Sequence, residues 1–351
     1  MYDIVEWESI KNEYTDGLLL GNGASIAVCG DSFKYSALFT EARERKYLSE
    51  PIVSIFNDLD KTSDELDDVE DDIKDFELVL RRLWQAKLVN DALGIAANKV
   101  NETYQQVRDA LIKTIQVIHP SHNDVKQHLK PMYEFMKHFK TVISLNYDLL
   151  IYWATQLSRD DGVGNWFKDC FINDVFIDDV NVLRARYRAD GVTLFFYPHG
   201  NLVLGRTKNG REKKICADQE AWIDLLDTIF KRWTNGSIVP IFVCEGTENK
   251  KKQAIESSSY LVRVYHEIMP ALGESLVIYG WSMSKQDEHI LRGLRLAKSI
   301  GLRRVAVSVH GNNQDYVKHV KERLHAHCFK GEIIFFNASS PGCWNNRVIE
   351  T

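Results

Sequence analysis

The chain has 351 residues, 44% hydrophobic and 26% charged, with a formal net charge of −5; this is ample material for a buried core and supplies no basic field for nucleic acid. No apolar run approaches the ~18 residues a membrane-spanning helix needs. The six cysteines are scattered and never form a CxxC pair, which argues against a disulfide framework and against a four-cysteine zinc ribbon.

Met1–Glu8 places no basic segment ahead of an apolar one, so a signal peptide is not expected and the cytoplasm is the default compartment. Leu18–Leu20 is the first strand-like run and leads into Gly21-Asn22-Gly23-Ala24-Ser25. Glycines at 21 and 23 would let backbone amides approach a pyrophosphate, although GxG turns also occur where nothing binds. Ile26 stands where the dinucleotide fingerprint has its third glycine, and no acidic residue clearly ends a second strand about 20 residues on. A hydride-transferring dehydrogenase is therefore disfavoured.

From about Ser54 to Lys140 the spacing is helical, as in Phe76, Val79, Leu80, Leu83 and then Val107, Leu111, Ile115, with Pro120 and Pro131 as punctuation. This predicts a helical insertion, too long for a simple crossover. Its leading part, Asp58 through Asp72, is strongly acidic; such a block is a solvated segment or, as the sharper alternative, a docking surface for a basic partner.

Val142–Leu145 predicts a second buried strand ending in Asn146-Tyr147-Asp148. Asp148 is placed either to cap the following helix or to face a ligand, and the two roles are compatible. A stretch of mixed Trp, Phe and Asp from 153 to 188 is expected to form a lid. Val192–Tyr197 then leads to His199, which at a strand end could exchange a proton near neutral pH. The clusters Arg211-Glu212-Lys213-Lys214 and Lys250-Lys251-Lys252 are expected to be solvated.

Ile238–Val243, Leu276–Tyr279, Val305–Val309 and Ile333–Phe336 complete a set of seven near-continuous apolar runs, the pattern of strands covered on both faces. Gly280-Trp281-Ser282 follows Leu276–Tyr279, and Ser284 or Asp287 either caps the next helix or reaches a ligand. His325, His327 and Cys328 lack a second ligand cluster nearby, and no metal site is expected. Alternating strands and helices predict an α/β fold, a doubly wound Rossmann-like parallel sheet formed by residues 1–53 and 141–351, with the helical insertion at 54–140. Four polar turns at one sheet edge imply one site.

The order of a Gly-rich turn, Asn-Tyr-Asp, His-Gly and Gly-x-Ser resembles the sirtuin-like family, closer to its bacterial antiphage NAD hydrolases than to its protein deacylases. The resemblance implies that Gly21, Gly23, Ala24 and Ser25 hold the dinucleotide, with Gly280 and Ser282 on the adenosine side and Asp287 also among the cofactor-binding residues. It implies further that Asn146, Asp148 and His199 are catalytic, with NAD as substrate. Asn22 departs from the family's common Ala, and the zinc ribbon of the deacylases is missing.

The activity implied is NAD glycohydrolysis to nicotinamide and ADP-ribose, in antiviral defence by NAD depletion. A homo-oligomer is expected, with a partner ATPase, a nuclease or a phage-derived trigger as regulator, and no membrane or direct nucleic-acid partner. The alternatives are a non-catalytic NAD or ADP-ribose sensor, a deacylase or ADP-ribosyltransferase, and an interaction protein that docks through its acidic segment.

Overall fold

Leu18, Leu19 and Leu20 have no solvent exposure, because their strand is at the centre of a sheet covered on both faces. The structure is a computed structural model that describes residues 2–30, 38–59, 76–160, 166–169, 171–177, 179–186, 189–216, 225–242 and 248–346. The acidic block lies outside them from residue 60 to residue 75, as do Cys170 and Cys244.

In chain order the strands are β1 (Ile4–Val5), β2 (Gly17–Leu20), β3 (Thr141–Ser144), β4 (Phe167–Lys168), β5 (Phe171–Ile172), β6 (Val175–Phe176), β7 (Thr193–Phe196), β8 (Gly200–Thr207), β9 (Glu212–Lys214), β10 (Ile238–Phe242), β11 (Ser275–Tyr279), β12 (Arg304–Val309) and β13 (Glu332–Asn337). Eight of them form one sheet in the order β1-β13-β12-β11-β2-β3-β7-β4, and every pairing in it is parallel. After β1 at one edge the chain crosses to β2 and β3, reaches the opposite edge at β4 and comes back one place to β7, then returns to β11 on the other side of β2 and continues to β12 and β13, beside β1. This is the doubly wound Rossmann-like order, and the crevice where the winding reverses lies between β2 and β11.

All seven predicted strands form. Ile238–Phe242, however, does not join the parallel sheet: β10 pairs antiparallel with β8 in a second sheet, ordered β10-β8-β9-β6-β5. All five of its residues are buried, so a continuous apolar run reported burial on both faces and not strand direction.

Between β2 and β3 the described residues contain helices and no strand, including Glu50–Leu59, Phe76–Leu93, Asn98–Ile118 and His122–Lys137. The insertion's predicted start at residue 54 falls within the first of these. Pro131 does not punctuate the segment but sits inside the last helix. That helix starts at Ser121, whose hydroxyl and backbone exchange hydrogen bonds with Asp124 in a capping box. The predicted lid at 153–188 begins inside helix Leu150–Asp160 and contributes β5 and β6 to the second sheet. Among the described residues no helix is long and apolar enough to cross a membrane.

Candidate functional site

The turns after β2 and β11 are pressed against each other. Gly21 donates its amide to Tyr279 O (2.9 Å) and Gly23 donates to Gly280 O (2.6 Å), while Ala24 N donates to Gly21 O (2.9 Å). A Cβ on Gly21 would lie 2.5 Å from Trp281 Cα, and one on Gly23 would lie 2.7 Å from Gly280 O. Gly280 has φ +67°, and a Cβ there would sit 2.3 Å from Ala24 N, so both its conformation and its surroundings require glycine. The glycine amides expected to hold a pyrophosphate are thus engaged by the facing backbone. The glycines close the crevice floor.

Beside this floor, Asn146 at the end of β3 donates Nδ2 to Gly21 O (3.0 Å) and to Ser25 Oγ (2.8 Å). Its Oδ1 makes no hydrogen bond with a described residue and is left as an acceptor. Asp148 is buried at 4% exposure. Its Oδ2 accepts from Ser25 Oγ (2.5 Å), its Oδ1 from Leu150 N (2.9 Å), and its main-chain oxygen from Asn201 Nδ2 (2.6 Å). It caps helix Leu150–Asp160 and braces the β2 turn, with both carboxylate oxygens occupied. Burial pushes its carboxyl above the ordinary carboxylate range, against the pull of the Ser25 and Leu150 hydrogen bonds. His119 completes the brace: Nδ1–H donates to Pro120 O (2.9 Å), which fixes the tautomer so that Nε2 accepts from Leu149 N (3.1 Å).

His199 follows β7, held by the turn in which Gly200 N donates to Tyr197 O (3.0 Å). Gly200 has φ +73° and a Cβ there would meet Ile241 O at 2.2 Å. His199 is 3% exposed and its Nε2 lies 2.7 Å from Nε2 of the fully buried His289. Asp287 joins them, the ligand-type atoms of all three lying within 4.8 Å of one another. Its Oδ1 accepts from Lys251 Nζ (2.7 Å) and its Oδ2 from Trp281 Nε1 (3.1 Å). Such a trio could hold a cation, but both carboxylate oxygens are in use and the adjacent ammonium opposes a metal ion.

Burial, then the Lys251 charge, lowers His199 to about 4 against the pull of Asp287 and of the Leu145 backbone. Burial, His199 and Lys251 likewise depress His289. Burial would raise Asp287, but Lys251 and His199 outweigh it and hold the carboxyl well below its usual range. At neutral pH the arrangement is two neutral imidazoles beside an ionised carboxylate.

On the other side of Trp281 a cavity of about 640 Å³ opens over the carboxyl ends of β11, β12 and β13, within the size range of small-ligand sites. Gly23, Gly280 and Ser282 line it with Ser308, Asn313, Tyr316 and Asn345. These side chains offer hydroxyls and amides and carry no formal charge. Gly21, Ala24, Ser25 and Asp287 do not line it: the first three build the floor and the fourth faces the histidines.

Sequence reasoning missed His289 and Lys251. His289 was one histidine among eleven, and its position near the start of helix Glu288–Ile300 carries no signal of a partner 90 residues away. Lys251, expected to be solvated, is 6% exposed because Asp287 draws it inward. In the run at 211–214 Arg211 is exposed, whereas Lys214 pairs with Asp169 (2.7 Å) and Glu212 with Arg206 (3.2 Å). His327 Nε2 sits 2.6 Å from Glu288 Oε1.

A protein-family model described as "Domain of unknown function (DUF4917)" matches residues 18–344. No curated protein matches the chain.

Proposed function

We infer that this chain, which belongs to the DUF4917 family, cleaves the bond between nicotinamide and ribose in NAD, releasing nicotinamide and ADP-ribose. The carrying observation is the chemical character of the crevice. At the carboxyl ends of β3, β7 and β11 stand acceptors: Asn146 Oδ1, the paired imidazoles and the ionised Asp287. Cleavage of the glycosidic bond builds positive charge on the ribose, and acceptors stabilise such a transition state better than donors do. The cavity beside them, lined by hydroxyls, amides and His310, suits a nucleoside moiety.

In this reading Asn146 Oδ1 accepts from the attacking water or from a ribose hydroxyl. His199 and its partner provide the base, and Asp148 supports both from behind through Ser25. Trp281 lines the cavity and also holds Asp287 through Nε1, which ties the two halves of the site together.

The test is nicotinamide release from NAD by the purified chain, beside Asn146→Ala and His199→Ala variants whose folding is checked by thermal melting. A loss of about 10²-fold or more in each variant is expected if the assigned proton transfer and positioning operate. Release at the wild-type rate from both would sink the assignment. NAD binding without release would favour the sensor reading.

A further inference from the structure

A second cavity, of about 540 Å³, opens at the far edge of the main sheet, where β7 and β4 meet β5, β9 and helix Val180–Leu183. It shares no lining residue with the cavity over β11, β12 and β13. Its size is again that of a small-ligand site. Phe167, Phe171, Leu183 and Phe195 are buried around it and form an apolar wall. At the rim this apolar surface continues into water, with Ile172 43% exposed and Val182 55% exposed. Large apolar side chains left in water at the mouth of a cavity mark a surface that a ligand covers.

The charged lining is one-sided. Lys168, Arg186 and Lys214 stand against the single carboxylate of Asp169. Each oxygen of that carboxylate already accepts a hydrogen bond, Oδ2 from Lys214 Nζ (2.7 Å) and Oδ1 from Phe171 N (3.0 Å). The cations are not used up in the same way. An ammonium has three donors, and Asp169 is the one hydrogen-bond partner of Lys214 Nζ among the described residues. Lys168 Nζ donates to Ala185 O and keeps its other donors. Arg186 is exposed and makes no hydrogen bond or ion pair with a described residue.

The Lys214 and Asp169 side chains are only 13% and 9% exposed. A buried ion pair adds little stability over an apolar replacement, so this one is best accounted for as the means of holding an ammonium in an apolar wall. Among the described lining residues there is no histidine, cysteine, serine or tyrosine. With Asp169 engaged as well, the cavity offers a ligand none of the usual general bases. Its chemistry is that of binding.

We propose that this cavity is a second ligand site, for a small organic anion with an aromatic or branched aliphatic body. Lys214, Lys168 and Arg186 hold its carboxylate or phosphate, and the body packs on Phe167, Phe171 and Phe195. The inference does not rest on NAD cleavage, since no residue assigned to that reaction lines the cavity.

The experiment is fluorine NMR on the full chain. 4-Fluorophenylacetate and 4-fluorobenzylphosphonate are the anions, and 4-fluorobenzyl alcohol is the neutral control. Saturable binding of at least one anion is expected at about 1 mM or tighter. The alcohol should bind about tenfold more weakly or worse, the range of a charge-assisted hydrogen bond. Whichever anion binds more tightly names the headgroup. Arg186→Glu and Val182→Asp change exposed side chains and should leave the melting temperature unmoved, yet each should weaken the anions by about tenfold. Arg186→Glu should leave the alcohol as it was.

Failure of both anions to saturate would overturn the site. Equal affinity for the alcohol would overturn the assignment of an anion. Anion binding unchanged in both variants would place the probe elsewhere on the molecule and overturn the proposal, whatever the chain does to NAD.

Discussion

Ser25 Oγ donates to Asp148 Oδ2 at 2.5 Å across 123 residues of sequence, and the same hydroxyl accepts from Asn146 Nδ2. One hydroxyl therefore holds two of the three predicted catalytic side chains. Ser25→Ala leaves a buried carboxylate oxygen without its donor and frees the Asn146 carboxamide to turn. A loss of about 1–3 kcal/mol is expected in the unfolding free energy, read from denaturant midpoints. Asp148→Ala should cost at least as much, since Leu150 N and Ser25 both lose their acceptor.

Asp148 also makes a pH prediction. Its folded carboxyl is raised by burial, so the native chain holds a proton that the unfolded chain has released. Stability from this group is fully present below the unfolded pKa near 4 and declines as pH rises through the raised folded value. Asp148→Asn should remove that decline while keeping the helix cap, and paired denaturation curves at pH 4.5 and 7 would show it.

The buried histidines work in the opposite sense. His119 and His199 are each lowered to about 4 by burial, and His289 is lowered too. Below the ordinary value of about 6.5 the unfolded chain takes up protons that the native chain refuses. Stability is therefore lost as pH falls from about 6.5 toward 4, at up to about 1.4 kcal/mol per pH unit for each histidine. Denaturant midpoints measured from pH 7 to pH 5 should fall accordingly. The fall should shrink in a His119→Gln variant if that variant still closes the Leu149 and Pro120 hydrogen bonds.

Lys251→Met would leave Asp287 paired only with Trp281 Nε1. Because a partner is removed from a largely buried ion pair, a loss of about 3 kcal/mol is expected. The same substitution takes away a charge that depresses both histidines. The His199 titration should move upward from about 4, which histidine NMR would follow directly. An unmoved titration would mean that burial alone sets it.

Gly280→Ala tests what the glycines are for. A Cβ 2.3 Å from Ala24 N at φ +67° combines overpacking with backbone strain, each about 1–3 kcal/mol. A lowered melting temperature in the absence of any nucleotide is expected. An unchanged melting temperature with weakened NAD binding would instead restore a direct phosphate-binding role to this turn.

The sheet was readable because burial on both faces leaves an unbroken apolar run, and β2, β3, β7, β11, β12 and β13 all carry one. The same signal misassigned β10, whose faces are equally buried in an antiparallel pairing. It passed over β8, which begins on the glycine after His199. At the site, Asn146, Asp148 and His199 stood out because each ends such a run. His289 and Lys251 could not stand out, since a helical histidine and the middle lysine of three look alike whether buried or solvated. Only the return of the chain from β7 to β11 brings them to His199.

Gly23 and Gly280 set a limit on how this site can change over evolutionary time. Two residues that collide are usually reconciled by enlarging one and shrinking the other, but here both are already the smallest available. No exchange between them opens room, so each position constrains the other's entire repertoire. Variation in what the crevice accepts must arise on its rim, at positions such as Asn313, Tyr316 and Asn345. A relative that carried a side chain at either glycine would have to move the turns after β2 and β11 apart.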